Sequence, residues 1–349
     1  MRFAYCALRI LNFPQGIHMT HILLLGAGFS RNWGGLLATE IFELLISQET
    51  IAHDGYLREL LWNHKANGGF ENALAEVQVR YSSDPVRYGP SLDKFQTAVS
   101  NVFGRMNAAL FNIPGIEFQQ DIDRLLRTFL VRFDAIFTLN QDVLLEHHYF
   151  RHVELAGPRR WIGAQMPGLK RIPNATEIID QSWEKDTWVP LEKERFLVEA
   201  GFQPCFKLHG SSNWIDSEGG PLLVIGGNKG SAIQSHAVLG WYFEKFREYL
   251  SVPDARLCVI GYGFRDSHVN EVIIEAISNS NLKLFVIDPS GSEVAMRANP
   301  SFGGAVYVPN ALDDAFRQGL IGASRRGLSE TFGNDPVSHD HVMNYFKNP

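Results

Sequence analysis

Short apolar runs alternate with longer amphipathic segments along this chain. The run Ile22–Leu25, and later runs in "DAIFTLNQD", "ARLCVIG" and "LKLFVID", lack the polar alternation of a half-exposed strand. Such runs are typical of strands buried on both faces of a parallel sheet. Segments such as "LLATEIFELLISQ" and "LGWYFEKFREYL" instead carry apolar residues at helical spacing. The pattern predicts an α/β fold, with a Rossmann-like parallel sheet and helices on both faces.

Two stretches interrupt this alternation. Residues 56–82 and 92–111 have helical periodicity, with the loop "SSDPVRYGP" between them, so we expect a mostly helical insertion at about 50–120. Residues from about 151 to 204 carry scattered Pro, Gly and Trp, and we expect an irregular insertion there.

The chain ends differ from the central part. Residues 1–18 contain a short apolar stretch that Arg9 and Asn12 interrupt, and no small-residue cleavage site follows it. We therefore expect an N-terminal extension over 1–18 and one Rossmann-like domain over 19–321. Residues 322–349 are predicted to be a polar, loosely held tail.

Five predicted strands run directly into polar loops: "GAGFS", "NQD", "LHGSS", "GYGFRDSH" and "DPSG". In a parallel sheet the carboxyl ends of the strands meet at one edge, where ligands bind. The sequence therefore predicts that these five loops converge on one functional site.

The first loop is a glycine turn formed by Gly26, Ala27, Gly28 and Ser30. Such a turn can bind a phosphate through backbone N–H groups, or it can serve only tight packing. Arg31 occupies the position of the third glycine of the dehydrogenase fingerprint, and no second strand with a terminal acid follows. Classical hydride transfer is therefore disfavoured, while a phosphate site is still plausible.

The loops "TLNQD" and "KLHGSS" offer candidate catalytic groups. Asn140 and Asp142 stand two residues apart after a strand, so they can face one crevice; equally, they can cap the helix that follows. His209 ends another strand and precedes a glycine, although a single histidine is more often structural.

The two remaining loops suggest contacts with the nucleotide. Gly261 begins a loop that suits a ribose or a phosphate, in which Asp266 can equally be a helix cap. Asp288 ends the last clear strand and can accept hydrogen bonds from a ribose, or it can be a turn acid before Pro289.

Composition excludes several classes of protein. The 349 residues include 32 basic and 38 acidic side chains, a net charge of −6, so direct nucleic-acid binding is not expected. No apolar run reaches the roughly 18 residues of a membrane span. The three distant cysteines (Cys6, Cys205 and Cys258) indicate neither a zinc ribbon nor a disulfide framework, and a reducing cytoplasm is the simplest compartment.

The order "GAGFS", "TLNQD", "KLHG", "IGYGF", "VID" resembles that of the sirtuin superfamily over residues 20–320. The resemblance implies that Asn140 orients the nicotinamide ribose and the reacting water, and that Asp142 lies near the nicotinamide. It implies that His209 is the general base on the ribose hydroxyls. The first glycine turn would bind the dinucleotide phosphates.

The departures from the sirtuin pattern indicate which branch of the superfamily the chain resembles. The chain cannot build a four-cysteine zinc module, Leu139 replaces a glutamine, and "RNWGGLLATEIFELL" replaces the "GIPDFR"-type segment. The chain is more similar to zinc-less bacterial sirtuin-like proteins, several of which hydrolyse NAD in antiphage defence.

This resemblance implies an NAD glycohydrolase that uses NAD as its substrate and needs no metal. By analogy we expect a homo-oligomer or a regulatory protein partner, with contacts through 40–125 and 151–200. Two alternatives stay open: an NAD-dependent protein deacylase, and a non-catalytic sensor of NAD or an ADP-ribose derivative.

Overall fold

The computed structural model describes residues 19–66, 69–150, 153, 160–172, 187–226, 229–298 and 310–347. The predicted N-terminal extension and part of the irregular insertion lie outside these ranges.

A parallel sheet of seven strands forms the centre of the protein, in the order β11-β10-β9-β1-β2-β6-β3. Every pairing in it is parallel. Its strands are β1 (His21–Leu25), β2 (Ala135–Thr138), β3 (Gly163–Gln165), β6 (Phe202–Lys207), β9 (Arg256–Ile260), β10 (Lys283–Ile287) and β11 (Leu320–Ser324). The predicted Rossmann-like α/β fold is confirmed.

Burial explains the apolar strand runs. Ile22, Leu23, Leu24 and Leu25 of β1 have no exposed surface, and the neighbouring β9 is buried along its whole length. A strand in the middle of a parallel sheet loses solvent on both faces because helices cover it. The helices are α1 (Ala27–Ser30), α2 (Ala38–Ile46), α3 (Glu49–Ala52), α4 (Gly55–His64), α5 (Gly69–Ser83), α6 (Pro85–Phe111), α7 (Leu126–Leu130), α8 (Leu144–His148), α9 (Lys229–Ser235), α10 (Ala237–Leu250), α11 (Ser267–Ser280), α12 (Val294–Ala298), α13 (Ala311–Gly319), α14 (Leu328–Thr331) and α15 (Pro336–Met343).

The strand order reverses at β1. The chain proceeds from β1 to β2 and β6 on one side, and the later strands β9, β10 and β11 lie on the other. A crevice for ligands forms outside the carboxyl ends of strands at such a switch point. The five polar loops follow β1, β2, β6, β9 and β10, so the topology places all five at this edge.

Helices α2–α6 form the expected helical insertion between β1 and β2, but the loop expected at "SSDPVRYGP" is shorter than predicted. Helix α5 continues to Ser83, and α6 begins at Pro85. Asp84 caps α6 by accepting a hydrogen bond from the N–H of Arg87, and proline is well suited to the first helical position. A single capping residue therefore replaces the predicted loop.

A smaller sheet begins inside the predicted irregular region and has the order β4-β5-β7-β8. Its strands are β4 (Leu169–Ile172), β5 (Thr187–Pro190), β7 (Gly210–Ile215) and β8 (Pro221–Leu223). The described parts of 151–204 are thus less irregular than expected, since they contribute strands to both sheets. Trp188 of β5 pairs with Trp214 of β7.

The expectation of a loosely held tail over 322–349 is corrected. The proposed boundary lies inside β11, which pairs with β10. Val342 and Tyr345 are buried, and the Tyr345 hydroxyl donates to the carbonyl of Arg256 at 2.6 Å. Leu328 and Phe332 are buried as well, so this segment packs against the rest of the domain. Among the described residues, no helix has the length and apolarity needed to cross a membrane.

Candidate functional site

The loops after β1 and β9 are in direct backbone contact. The N–H of Gly28 donates to the carbonyl of Gly261 at 2.9 Å. A Cβ at Gly26 would lie 2.5 Å from that carbonyl oxygen, and Gly261 has a φ of +63° that favours glycine. These glycines are therefore required for close packing of the two loops, whether or not a phosphate binds there.

The same contacts reduce the number of donors that the turn offers to an anion. The N–H groups of Gly26, Gly28 and Phe29 are already hydrogen-bonded within the protein. Arg31 forms an ion pair with Glu40 at 2.9 Å, and its side chain is 52% exposed. A phosphate at this turn would depend on the other donors of the turn and on Ser30.

Ser30 and Asn140 join the first loop to the second. The amide Nδ2 of Asn140 donates to Oγ of Ser30 at 2.9 Å, and both residues are buried. The backbone N–H of Asn140 also donates to Oγ1 of Thr138, the last residue of β2. Asn140 is thus fixed at its backbone and at one end of its side chain.

The other end of that side chain is unsatisfied. Oδ1 of Asn140 is buried, and none of the described residues donates a hydrogen bond to it. A buried polar atom without a partner is unfavourable, so each such atom needs an explanation, such as a catalytic role or an ordered water molecule. Oδ1 of Asn140 can accept a hydrogen bond from a water molecule or from a sugar hydroxyl.

Asp142 both makes a local hydrogen bond and lines a cleft. Its Oδ1 accepts the N–H of Leu144 at 3.0 Å, in a turn that leads into α8, whose N-cap is Val143. It also lines the same cleft as Ser30 and Asn140. This hydrogen bond uses one carboxylate oxygen, and the other oxygen can accept further hydrogen bonds.

This cleft is lined by Ser30, Asn140 and Asp142, and its free volume of about 10 Å³ is the space of about one water molecule. Its other lining residues are Phe29, Thr138, Leu145, Glu146, Cys205 and Lys207. Pockets for drug-sized ligands measure about 300–1,000 Å³. The closed cleft is therefore too small for any part of a dinucleotide, and nucleotide binding requires it to open.

A buried ion pair supports the wall of the cleft. Nζ of Lys207 lies 2.5 Å from Oε1 of Glu146, and it also donates to the carbonyl of Asp142. Burial raises the pKa of Glu146, although the positive charge of Lys207 opposes this. Because Lys207 holds the backbone of Asp142, the pair fixes one side of the cleft.

His209 stands beside Asn140 at the edge of the sheet. Thr138 of β2 pairs with Lys207 of β6. Asn140 lies two residues after Thr138, and His209 lies two residues after Lys207. Neighbouring strands lie about 4.8 Å apart, so the two backbones are adjacent. The His209 ring, however, does not line the cleft. Its Nε2 lies 3.0 Å from Nε2 of His268.

Burial is the main reason that the pKa of His209 falls to about 3, and Lys229 and His268 contribute. The ring is therefore neutral at pH 7. A ring of such low basicity holds a hydroxyl by hydrogen bonding more readily than it removes the proton.

A chain of charged groups approaches His268 from the helical insertion. Nζ of Lys229 lies 2.8 Å from Oδ1 of Asp266 and 2.8 Å from Oε2 of Glu71 in α5. Burial acts to raise the pKa of Asp266, but its basic neighbours, Lys229 among them, lower it. Asp266 is consequently a carboxylate at neutral pH.

Asp288 has the geometry of a turn acid. Its Oδ1 accepts the N–H of Ser290 at 2.7 Å, and its own N–H donates to Ser324. It follows β10 at the same edge as Gly261, whose N–H donates to Ile287. None of the described contacts joins Asp288 to the cleft.

No sequence motif indicated a role for His268, Lys229 or Glu71. The one available signal was the spacing Asp266-x-His268 at the start of a helix after a glycine loop, which brings both side chains to the edge of the sheet. Their contacts with His209 and with the helical insertion depend on tertiary structure and have no local sequence pattern.

No protein-family model and no curated protein sequence matches this chain. The sirtuin-like resemblance therefore stays a prediction, and a proposal about function depends on the geometry of the site.

Proposed function

We propose that this protein is an NAD glycohydrolase that cleaves NAD to nicotinamide and ADP-ribose. The observation that carries the proposal is the position of Asn140. Its amide is tied to Ser30 of the glycine turn, and its buried Oδ1 has no partner among the described residues. One side chain thus links the predicted phosphate turn to an acceptor that can hold a water molecule or a ribose hydroxyl.

The reaction breaks the bond between the ribose and the cationic nicotinamide. Nicotinamide leaves as a neutral molecule, so a strong general acid is not needed. The reacting carbon develops positive charge, which preorganised dipoles and a nearby carboxylate stabilise. In the proposal Asn140 orients the water, and Asp142 favours the developing charge. The water supplies the hydroxyl of ADP-ribose and releases one proton to solvent.

His209 is proposed to contact the hydroxyls of the nicotinamide ribose. It follows β6, the strand paired with the one that leads to Asn140, but its ring is directed at His268 in the protein without NAD. The role therefore requires the ring to exchange His268 for the sugar. The negative charge of the bound pyrophosphate would raise the pKa of His209 and make it a better base.

The small cleft gives the proposal a further consequence. Since the cleft has room for only about one water molecule, binding of NAD requires it to open. A protein that is closed in isolation suits an enzyme whose activity depends on assembly or on a protein partner. By resemblance alone, the proposed setting is a regulated effector of antiphage defence, with NAD as the substrate.

The deciding experiment follows nicotinamide release from NAD by chromatography, for the isolated protein and for the assembled or partner-bound form. Wild type is compared with Asn140→Ala, and with Asn334→Ala as an exposed control. We expect release by wild type and by the control, and a loss of at least about 100-fold in Asn140→Ala, as for loss of a positioning group.

The other outcomes distinguish the alternatives. Nicotinamide release that depends on an acylated peptide would indicate a deacylase. Tight binding of NAD without turnover would indicate a sensor. Equal rates for wild type and Asn140→Ala would exclude a catalytic role for the cleft.

A further inference from the structure

Three side chains at the edge of the sheet present metal-binding atoms to one point. His209 follows β6, whereas Asp266 and His268 lie at the start of α11. One ligand atom from each residue lies within 4.8 Å of the others. This is the single group of its kind within the part of the chain that the structure describes.

We propose that His209, Asp266 and His268 bind one Zn²⁺ ion. Two imidazole nitrogens and one carboxylate oxygen are a ligand set that zinc prefers, with a water molecule in the fourth position. The site differs from the four-cysteine module that the sequence lacks, and the sequence analysis expected no metal ligand here.

The distances suit a tetrahedral ion after a small movement. Ligands about 2.0–2.1 Å from zinc are separated from one another by about 3.3 Å at the tetrahedral angle. The Nε2 atoms of His209 and His268 are 3.0 Å apart. The carboxylate must approach by at most about 1.5 Å, since the largest separation is 4.8 Å. A rotation of the Asp266 side chain supplies this movement.

The surroundings favour a cation at this point. His209 is buried, and Asp266 presents a carboxylate oxygen to the same point. Lys229 occupies one carboxylate oxygen, Oδ1, at 2.8 Å, which leaves the other for a metal. The ammonium group also repels Zn²⁺, so Lys229 weakens the site. Removing this charge would leave Glu71 and Asp266 as two neighbouring acids and should strengthen metal binding.

Zinc binding would also regulate the proposed enzyme, and this consequence rests on the proposed function. A metal on Nε2 of His209 prevents the ring from turning to the ribose. Zinc is therefore expected to inhibit NAD hydrolysis, and a chelator is expected to restore it. The binding itself does not depend on whether the protein hydrolyses NAD.

The test titrates Zn²⁺ into the chelator-treated, full-length protein by calorimetry, with Co²⁺ absorption as a report of tetrahedral coordination. We expect one site in wild type. His268→Ala and Asp266→Asn should each weaken it by at least about tenfold, since even the loss of an outer-shell partner costs about 10–100-fold. His53→Ala, an exposed histidine away from the site, is the control and should bind as wild type.

Lys229→Met makes the opposite change, and a gain of affinity cannot come from a variant that fails to fold. It should tighten Zn²⁺ binding by about tenfold or more, because an ammonium close to the ion is removed. Zinc binding that is the same in wild type, His268→Ala and Lys229→Met would overturn the proposal.

Activity measurements separate the two proposals. Zinc binding with these variant effects, in a protein that never consumes NAD, would leave the metal site standing and remove the hydrolase. NAD hydrolysis in a protein that binds no zinc at this cluster would support the hydrolase and exclude the metal site.

Discussion

The side-chain amide of Asn140 donates a hydrogen bond to Oγ of Ser30 at 2.9 Å, across 110 residues of sequence. This bond connects the loop after β1 with the loop after β2, while Oδ1 at the other end of the amide has no partner in the described part of the chain. The orientation of Asn140 therefore depends on a residue of the glycine turn.

Ser30→Ala should reduce nicotinamide release by about tenfold. The variant removes the acceptor of a buried hydrogen bond, which is worth about 0.5–1.5 kcal/mol, and it frees the Asn140 amide to rotate. The measurement is the rate of nicotinamide release at saturating NAD. Ser47→Ala is the matched control, because Ser47 is exposed and its hydroxyl bonds only to Leu44. Equal loss in both variants would contradict the positioning role of Ser30.

Gly261→Ala should lower the free energy of unfolding by about 1–3 kcal/mol, through overpacking and a positive φ. A Cβ at this position would lie 2.5 Å from the carbonyl carbon of Gly28, and the φ is +63°. Urea denaturation measures the change.

Gly104→Ala is the control for this prediction. Gly104 lies inside α6, and a Cβ there meets nothing within 4 Å. Alanine should therefore stabilise the helix by about 0.5–1 kcal/mol, in the opposite direction. A neutral Gly261→Ala would show that the two loops separate easily.

Local patterns predicted the strands and the loops at their ends. The residues of β1, β9 and β10 are mostly apolar because both faces of the sheet are covered. The shortness of these apolar runs and their lack of polar alternation therefore indicate buried strands. The same pattern placed Asn140 and His209 at one edge, because parallel strands must end together. Register then made the two residues neighbours.

Partnerships between distant residues could not be predicted in this way. His268 has the sequence context of an ordinary helix start, and only the fold brings it within 3.0 Å of His209. Lys207 likewise lies in a strand run where an apolar residue is expected, and its partner Glu146 is 61 residues away. A charged residue in a buried strand indicates that a partner exists, but not which residue it is.

Lys207→Met should destabilise the protein by about 3–5 kcal/mol, because it leaves the carboxylate of Glu146 buried without its partner. The side chains of both residues are almost fully buried, at 2% and 1% exposed. Combining Lys207→Met with Glu146→Gln should cost less than the sum of the single changes, as measured by a double-mutant cycle.

The exposed pair Arg247–Glu275 gives the comparison. Its side chains are 53% and 60% exposed, so Arg247→Met should cost less than about 1 kcal/mol. Additive effects of Lys207→Met and Glu146→Gln would mean that the buried pair is not coupled.

Asp54→Asn should destabilise the protein at pH 7 by about 1 kcal/mol and have a smaller effect at pH 3. Oδ1 of Asp54 caps α4 through the N–H of Leu57, and Oδ2 accepts from Lys94 at 2.9 Å. Burial acts to raise the pKa of Asp54, but Lys94 and the capping hydrogen bond outweigh it and lower the pKa.

A lowered pKa of Asp54 in the folded state stabilises the protein at pH values above the unfolded pKa of about 3.9. That stabilisation is lost as the pH falls through the folded value. Asparagine keeps a cap but carries no charge, so the difference in unfolding free energy between wild type and variant should shrink on acidification. Asp93→Asn, at an exposed position of α6, is the control and should have the smaller effect at pH 7. A difference for Asp54→Asn that is constant from pH 7 to pH 3 would mean that the ion pair with Lys94 contributes nothing.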